Sequence, residues 1–240
     1  MISTTKVQAQ VKQIQQFDAA VENFKTKYNY LPGDVPNYLS GYGKGDGNGI
    51  ITTSANCLTS VAAPGAYGCE LPSVWLELFP EQFTNTANGN YHGLPWTSQG
   101  STPDVPEAKI GKKGAGVIVM TAANAVCSGI ATPGDPNYYV IVSPTMGQTA
   151  VADFYTFTDD GSGSIQSASI QEMMALDKKI DDGIANAGNV KPGAFVCNRV
   201  TLGTGGACNG SGTYTNYPTN LSGNVCIPFI RIGAQAGDPQ

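Results

Sequence analysis

From residue 7 onward the chain sets Val7, Val11, Ile14, Phe17, Val21, Phe24 and Tyr28 in one series, spaced by four, three, three, four, three and four residues. Spacing of that kind puts all seven on a single stripe of an α-helix. Between them lie Gln8, Gln10, Lys12, Gln13, Gln15, Gln16, Asp18, Glu22, Asn23, Lys25 and Lys27, which read as a polar opposite face with little net charge. Pro32 disfavours helical geometry at Leu31, and Pro32-Gly33 reads as a turn. The helix is therefore predicted to start within a few residues of Ser3 and to end by Leu31. At about 1.5 Å per residue it is roughly 40 Å long, the width of a small domain. It should bury Val11, Ile14, Phe17, Val21 and Phe24 against a sheet and serve as the spine of the fold.

The remainder of the chain supplies that sheet. Residues 33–69 are rich in Gly, Asn, Asp, Ser and Thr, with Gly45-Asp46-Gly47-Asn48-Gly49 at their centre, and read as a long excursion with little regular structure. Leu71 to Phe83 carries Val74, Trp75, Leu76, Leu78 and Phe79, a short helix interrupted or ended by Pro80, whose aromatic residues are read as core plugs. Strands are expected at Gly116–Thr121, Tyr138–Ser143, Val151–Thr158, Ala194–Thr201 and Cys226–Ile232, each rich in β-branched or aromatic residues. A second helix fits Ser167 to about Ala185, with Ile170, Met173, Met174, Leu176, Ile180 and Ile184 near one face and both methionines taken as packing. The expected fold class is α+β: a long N-terminal helix on a mainly antiparallel sheet, with long loops tied by disulfides.

Composition narrows the function classes. Charged residues make up 13% of the 240, against roughly 25% in an average globular protein, so Ser, Thr, Asn, Gln and Gly must build most of the surface. The net charge is −5 and the thirteen basic residues are scattered, as at Lys109, Lys112, Lys113, Lys178 and Lys179. A main partner of nucleic acid is not expected, because such binding rests on clustered cations that displace phosphate counterions. Six cysteines, Cys57, Cys69, Cys127, Cys197, Cys208 and Cys226, contain no C-x-x-C pair, and His92 is the single histidine, which speaks against zinc. An even cysteine count in loop-rich sequence points to disulfides formed in an oxidising compartment. No apolar run reaches the roughly 18–20 residues that cross a bilayer, and no signal peptide precedes the helix. Met1 directly before the helical pattern reads as an added start that replaces a removed targeting segment.

No catalytic residues are assigned. The G-x-S-x-G, H-E-x-x-H and phosphate-loop patterns are absent, His92 sits in a loop sequence, and the adjacent carboxylates at Asp159-Asp160 and Asp181-Asp182 diverge in direction. No cofactor is expected. Calcium is the one metal with candidates, since Asp46 and Asn48, and Asp160 with Ser162 and Ser164, alternate oxygen ligands in Gly-rich loops. Neither set completes an EF-hand, because Cys57 stands where a bidentate Glu is needed, so two ordinary turns are the simpler reading. Trp96, Tyr91, Tyr214 and Tyr217 offer stacking surfaces for an adhesin, and equally fit subunit contacts or local core.

The run Gln13 to Phe24, followed by Lys27-Tyr28-Asn29-Tyr30-Leu31-Pro32-Gly33-Asp34, resembles the second half of a type IV pilin or pseudopilin helix and its exit. Leu176 to Gly183, continuing through Gly188-Asn189-Val190, resembles a segment of pilin-like proteins with the same exit, and Cys226 to Ile232 resembles their closing cysteine and strand. The likeness spans about a quarter of the chain, and residues 84–165 take no part in it. It implies that residues 1–31 are the C-terminal half of the N-terminal helix and 32–240 the globular head. It further implies a filament subunit, or a minor pilin or adhesin as the alternative, whose partners are copies of itself and related pilins. The inner membrane would be reached through an apolar half-helix missing here, and the location would be a bacterial surface pilus or the periplasm. Calcium binding in a loop also occurs in that family.

Three disulfides are expected. Cys57–Cys69 follows from the short Gly/Ala/Pro segment between them, and the resemblance implies Cys197–Cys226, leaving Cys127–Cys208. Each should contribute about 3 kcal/mol by limiting the unfolded chain. Peptide mapping of non-reduced protein should return these three cross-linked pairs; free thiols after oxidative expression would refute the assignment.

Overall fold

A computed structural model describes residues 4–36, 45–51, 74–75, 77–79, 106–111, 115–121, 137–142, 167–180, 190–193 and 227–233. Helix α1 runs Thr4–Tyr28 and helix α2 Ile170–Ile180; the strands are β1 Gly116–Thr121, β2 Asn137–Val142, β3 Val190–Gly193 and β4 Ile227–Arg231. The result is α+β, an N-terminal helix with an antiparallel sheet in the order β1-β2-β4-β3. Three of the expected strands are present almost as bounded. The expected strands at 151–158 and 194–201, all six cysteines, Trp96, Tyr91, Tyr214, Tyr217, His92 and Asp160 lie outside the described residues. β3 falls just before the predicted 194–201 segment. Among the described residues no helix is long and apolar enough to cross a membrane.

The sheet register is set by runs of β-branched and aromatic residues. Val117 faces Ile141 and Val119 faces Tyr139, while Tyr139 and Val140 meet Ile230 and Phe229 on the other side of β2. Consecutive residues Val117, Ile118 and Val119, and Tyr138 through Ile141, are all buried, so both faces of the central strands are covered. The segment 106–109 extends the sheet beyond β1: Glu107 bridges Gly116, Val117 donates its N–H to the Pro106 carbonyl and Ala108 to that of Ala115.

Helix α1 buries Val7, Ile14, Phe17, Val21 and Phe24, as its stripe predicts, while Val11 is only half-buried. Phe17 is the hub, with ring centroids 4.8 Å from Trp75, 5.7 Å from Tyr139 and 6.1 Å from Phe79. The polar face needs correction. Gln10, Gln13 and Asp18, read as outward, are buried. Gln10 donates from Nε2 to Gln13 Oε1 at 3.0 Å and accepts the Lys109 N–H at Oε1 at 2.7 Å; Gln13 Nε2 donates to the Glu107 carbonyl at 2.9 Å. The two amides thus satisfy backbone groups of 106–109 that point away from β1, and that pairing offsets the cost of burying them.

Helix α2 begins later than expected because its start is a reciprocal cap. Ser169 Oγ accepts the Glu172 N–H at 3.2 Å, and Glu172 Oε2 accepts the Ser169 N–H at 2.9 Å, so Ser169 is the N-cap, and Ser167 and Ala168 lie outside the helix, Ala168 in a β-bridge. Ile170, Met173, Leu176 and Ile180 are buried, but Met174 is 38% exposed and does not share their face. Val74 and Trp75, helical as predicted, fill the space beside Phe17. Phe17→Ala should cost about 3–5 kcal/mol, as for a fully buried aromatic whose partners cannot collapse into the gap. Urea unfolding of the variant beside the parent checks this; a loss under about 1 kcal/mol would contradict the packing.

Candidate functional site

The residues that end α1 build the most organised polar site of the described structure. Asn29 takes a left-handed conformation, φ 60°, and its N–H returns to the Lys25 carbonyl at 2.8 Å, which closes the helix. Leu31-Pro32-Gly33-Asp34 then makes a turn in which the Asp34 N–H donates to the Leu31 carbonyl at 3.1 Å. Pro32 fixes the first central position and Gly33, at φ 90°, supplies the positive angle at the second, which is a type II turn. The Gly33 N–H donates to buried Glu77 Oε2 at 2.6 Å, anchoring the turn to the 74–79 segment.

Asp34 leaves this turn buried and organises the glycine-rich loop. Its Oδ1 accepts the Gly47 N–H at 2.7 Å and its Oδ2 the Gly49 N–H at 2.8 Å. Gly45 donates its N–H to the Val35 carbonyl at 3.1 Å, and a Cβ there would collide with the Asp34 backbone, so only glycine fits. Burial raises the Asp34 pKa, the bonds from Gly49 and Gly47 oppose the rise, and the charge of Asp46 adds to it. Beyond the loop, Ile51 donates its N–H to Asn137 Oδ1 at 3.0 Å, so the loop is fastened to the first residue of β2.

An open groove of about 730 Å³ runs beside this knot. Its walls are the last turns of α1 at Val21, Glu22, Lys25 and Thr26, the exit at Asn29 to Leu31, the glycine loop, Asn137, and Ile232 with Gly233 after β4. Glu22 and Lys25 form an exposed pair at 3.0 Å on its rim. Behind the wall, Asp18 is buried and its Oδ1 accepts both the Tyr139 hydroxyl at 3.1 Å and the Gly233 N–H at 2.9 Å. One carboxylate oxygen therefore joins α1, β2 and the turn that follows β4. Burial lifts the Asp18 pKa from 3.8 to about 6, the bonds from Gly233 and Tyr139 lower it, and Glu22 one turn on raises it again. Burial likewise pushes the Tyr139 phenol well above its usual range, helped by the charge on Asp18.

Of the sequence-predicted calcium ligands, Asp46 and Asn48 are brought together. Asp46 Oδ1 accepts the Asn48 N–H at 3.0 Å, Asp46 Oδ2 accepts from Asn48 Nδ2 at 2.8 Å, and Asn48 Oδ1 accepts the Ile50 N–H at 2.7 Å. These oxygens are engaged in holding the turn. Among the described residues no three His, Cys, Asp or Glu side chains gather as a metal site would require. Sequence reading missed Asp18 and the partnership of Asp34 with the glycine loop. The paired glycines at 47 and 49, two residues apart and following a Pro-Gly-Asp turn, were the available signal for the second. No family model, curated protein or solved structure matches the chain.

The Asp18 environment sets a pH dependence. Because the folded pKa lies above the unfolded value, the folded form binds the extra proton between pH 3.8 and 6, and stability falls as pH rises through that interval. Above about pH 6 the full penalty of a buried charge is present. Asp18→Asn keeps an acceptor oxygen for Tyr139 and Gly233 without the charge. It should match the parent below pH 3.8 and exceed it by about 1–3 kcal/mol above pH 6. Thermal melts across pH 3 to 8 check the divergence; parallel curves would contradict it.

Proposed function

We propose that the protein is a structural subunit of a type IV pilus-like or pseudopilus filament, with α1 as its assembly element. The observation that carries this reading is the helix exit. The Leu31-Pro32-Gly33-Asp34 sequence that resembles pilin-like proteins stops α1, turns the chain and pins the glycine loop through Asp34. Further support comes from the division of α1 into two sides. One side is buried in the head, and the other leaves Lys6, Gln8, Lys12, Gln15 and Gln16 exposed along its first half. A helix surface that polar and weakly charged lets neighbouring copies approach without strong repulsion. Apolar helix segments buried between subunits would contribute about 25 cal/mol per Å² removed from water, the main drive for such assembly.

The natural full-length gene, carrying an epitope tag in the head, should yield surface or periplasmic filaments that label along their length in immunoelectron microscopy. Deleting the gene should remove those filaments or the secretion they serve. Unchanged filaments and secretion, combined with loss of a measurable catalytic turnover, would replace this reading with an enzymatic one.

A further inference from the structure

We propose that Asn48-Gly49 is a gated deamidation site, dormant while the Asp34 carboxylate holds the glycine loop and reactive once the helix exit releases it. An asparagine followed by glycine is chemically vulnerable, because the glycine amide nitrogen has no side chain to hinder its attack on the asparagine side-chain carbonyl. Asn48 and Gly49 are both exposed, so water and base reach them.

The reaction begins when the Gly49 N–H gives its proton to a base from solvent. The nitrogen then forms a bond to Asn48 Cγ, the Cγ–Nδ2 bond breaks, and Nδ2 leaves as ammonia with a proton drawn from water. A five-membered succinimide results. Water opens it at either carbonyl, leaving aspartate or isoaspartate at position 48, with no oxidant or reductant required.

The folded loop opposes each requirement. The Gly49 N–H is held 2.8 Å from Asp34 Oδ2, which keeps its proton in place and sets a negative charge against formation of the nitrogen anion. The Asn48 side chain is fixed at both ends, donating from Nδ2 to Asp46 Oδ2 at 2.8 Å and accepting the Ile50 N–H at Oδ1 at 2.7 Å. Reaction therefore awaits a local opening, and its rate follows the open fraction of the loop. Conversion is one-way for the fold, since a carboxylate at 48 loses the amide donor to Asp46 and faces it with like charge. The modified residue would mark molecules whose exit has opened.

Peptide mapping by mass spectrometry after incubation at mildly alkaline pH reads the modification site by site. Asn88-Gly89 and Asn209-Gly210 in the same chain serve as internal references. Asn48 should react more slowly in the native protein than in denaturant. Asp34→Asn should accelerate Asn48 by about ten- to a hundredfold, as expected for losing charge-assisted hydrogen bonds, with the two references unchanged. Asp46→Ala, a change at an exposed carboxylate, should also accelerate Asn48 by freeing its side chain, and serves where Asp34→Asn does not fold. Equal rates at Asn48 in native and denatured protein would overturn the proposal. So would a folded Asp34→Asn that leaves Asn48 at the parent's rate, an Asp46→Ala without acceleration where Asp34→Asn does not fold, or a rise shared equally by all three sites.

Discussion

The buried amides of Gln10 and Gln13 and the carboxylate of Asp18 fix where α1 lies against the 106–109 segment, β2 and the turn after β4. An apolar stripe alone can slide by a turn along a hydrophobic surface and lose little. A buried amide or carboxylate cannot, because leaving it or its partner unpaired costs about 1–3 kcal/mol per group. Here the partners are distant in the chain: the Glu107 carbonyl, the Lys109 N–H, the Tyr139 hydroxyl and the Gly233 N–H. Four hydrogen bonds from three side chains of one helix thereby specify the position of the 106–109 segment, of β2 and of the turn after β4. The apolar core around Phe17 supplies the bulk attraction, and these bonds decide its register.

The exit of α1 works as a second centre of order. A type II turn, local in sequence, places Asp34 where two glycine amides converge on it, and the loop it gathers reaches Asn137 at the start of β2 through Ile51. A short motif thus governs a loop ten and more residues away and joins it to the sheet. The groove beside it is walled by the same elements, so its shape depends on the same few bonds.

Much of the described backbone was legible in the sequence, and the exceptions are mainly polar groups. The end of α1, the strands β1, β2 and β4, and the burial of Phe17, Val21 and Phe24 followed from apolar periodicity and turn chemistry. The Gln10 misplacement came from tracking apolar residues alone. With Val11 in the series the spacing from Val7 runs four, three, three; with Gln10 it becomes a regular three, four alternation through Ile14, Phe17, Val21, Phe24 and Tyr28. Position 10 thus belonged to the buried stripe, and its polarity hid that. Asp18 carries no comparable mark, since its partners Tyr139 and Gly233 are known only once the chain is folded. The start of α2 was readable, as Ser169-Ile170-Gln171-Glu172 has the spacing of a capping box. Of the site, the turn was visible in Pro32-Gly33, while the convergence of Gly47 and Gly49 on Asp34 was not, because hydrogen bonds across a loop leave no periodicity.

The two glutamines of α1 have a consequence for how copies of this chain can meet. A strand flank that presents bare N–H and C=O groups is a template on which another chain adds its own strand, and proteins commonly guard against such growth. On the outward flank of 106–109, the Glu107 carbonyl and the Lys109 N–H are already taken by side-chain amides of the same molecule. Strand-by-strand extension is blocked there by the amides of α1, in a segment that also carries Pro106 and the charges of Glu107 and Lys109. A second chain meeting that flank would find side-chain surfaces rather than a free strand edge at Glu107 and Lys109.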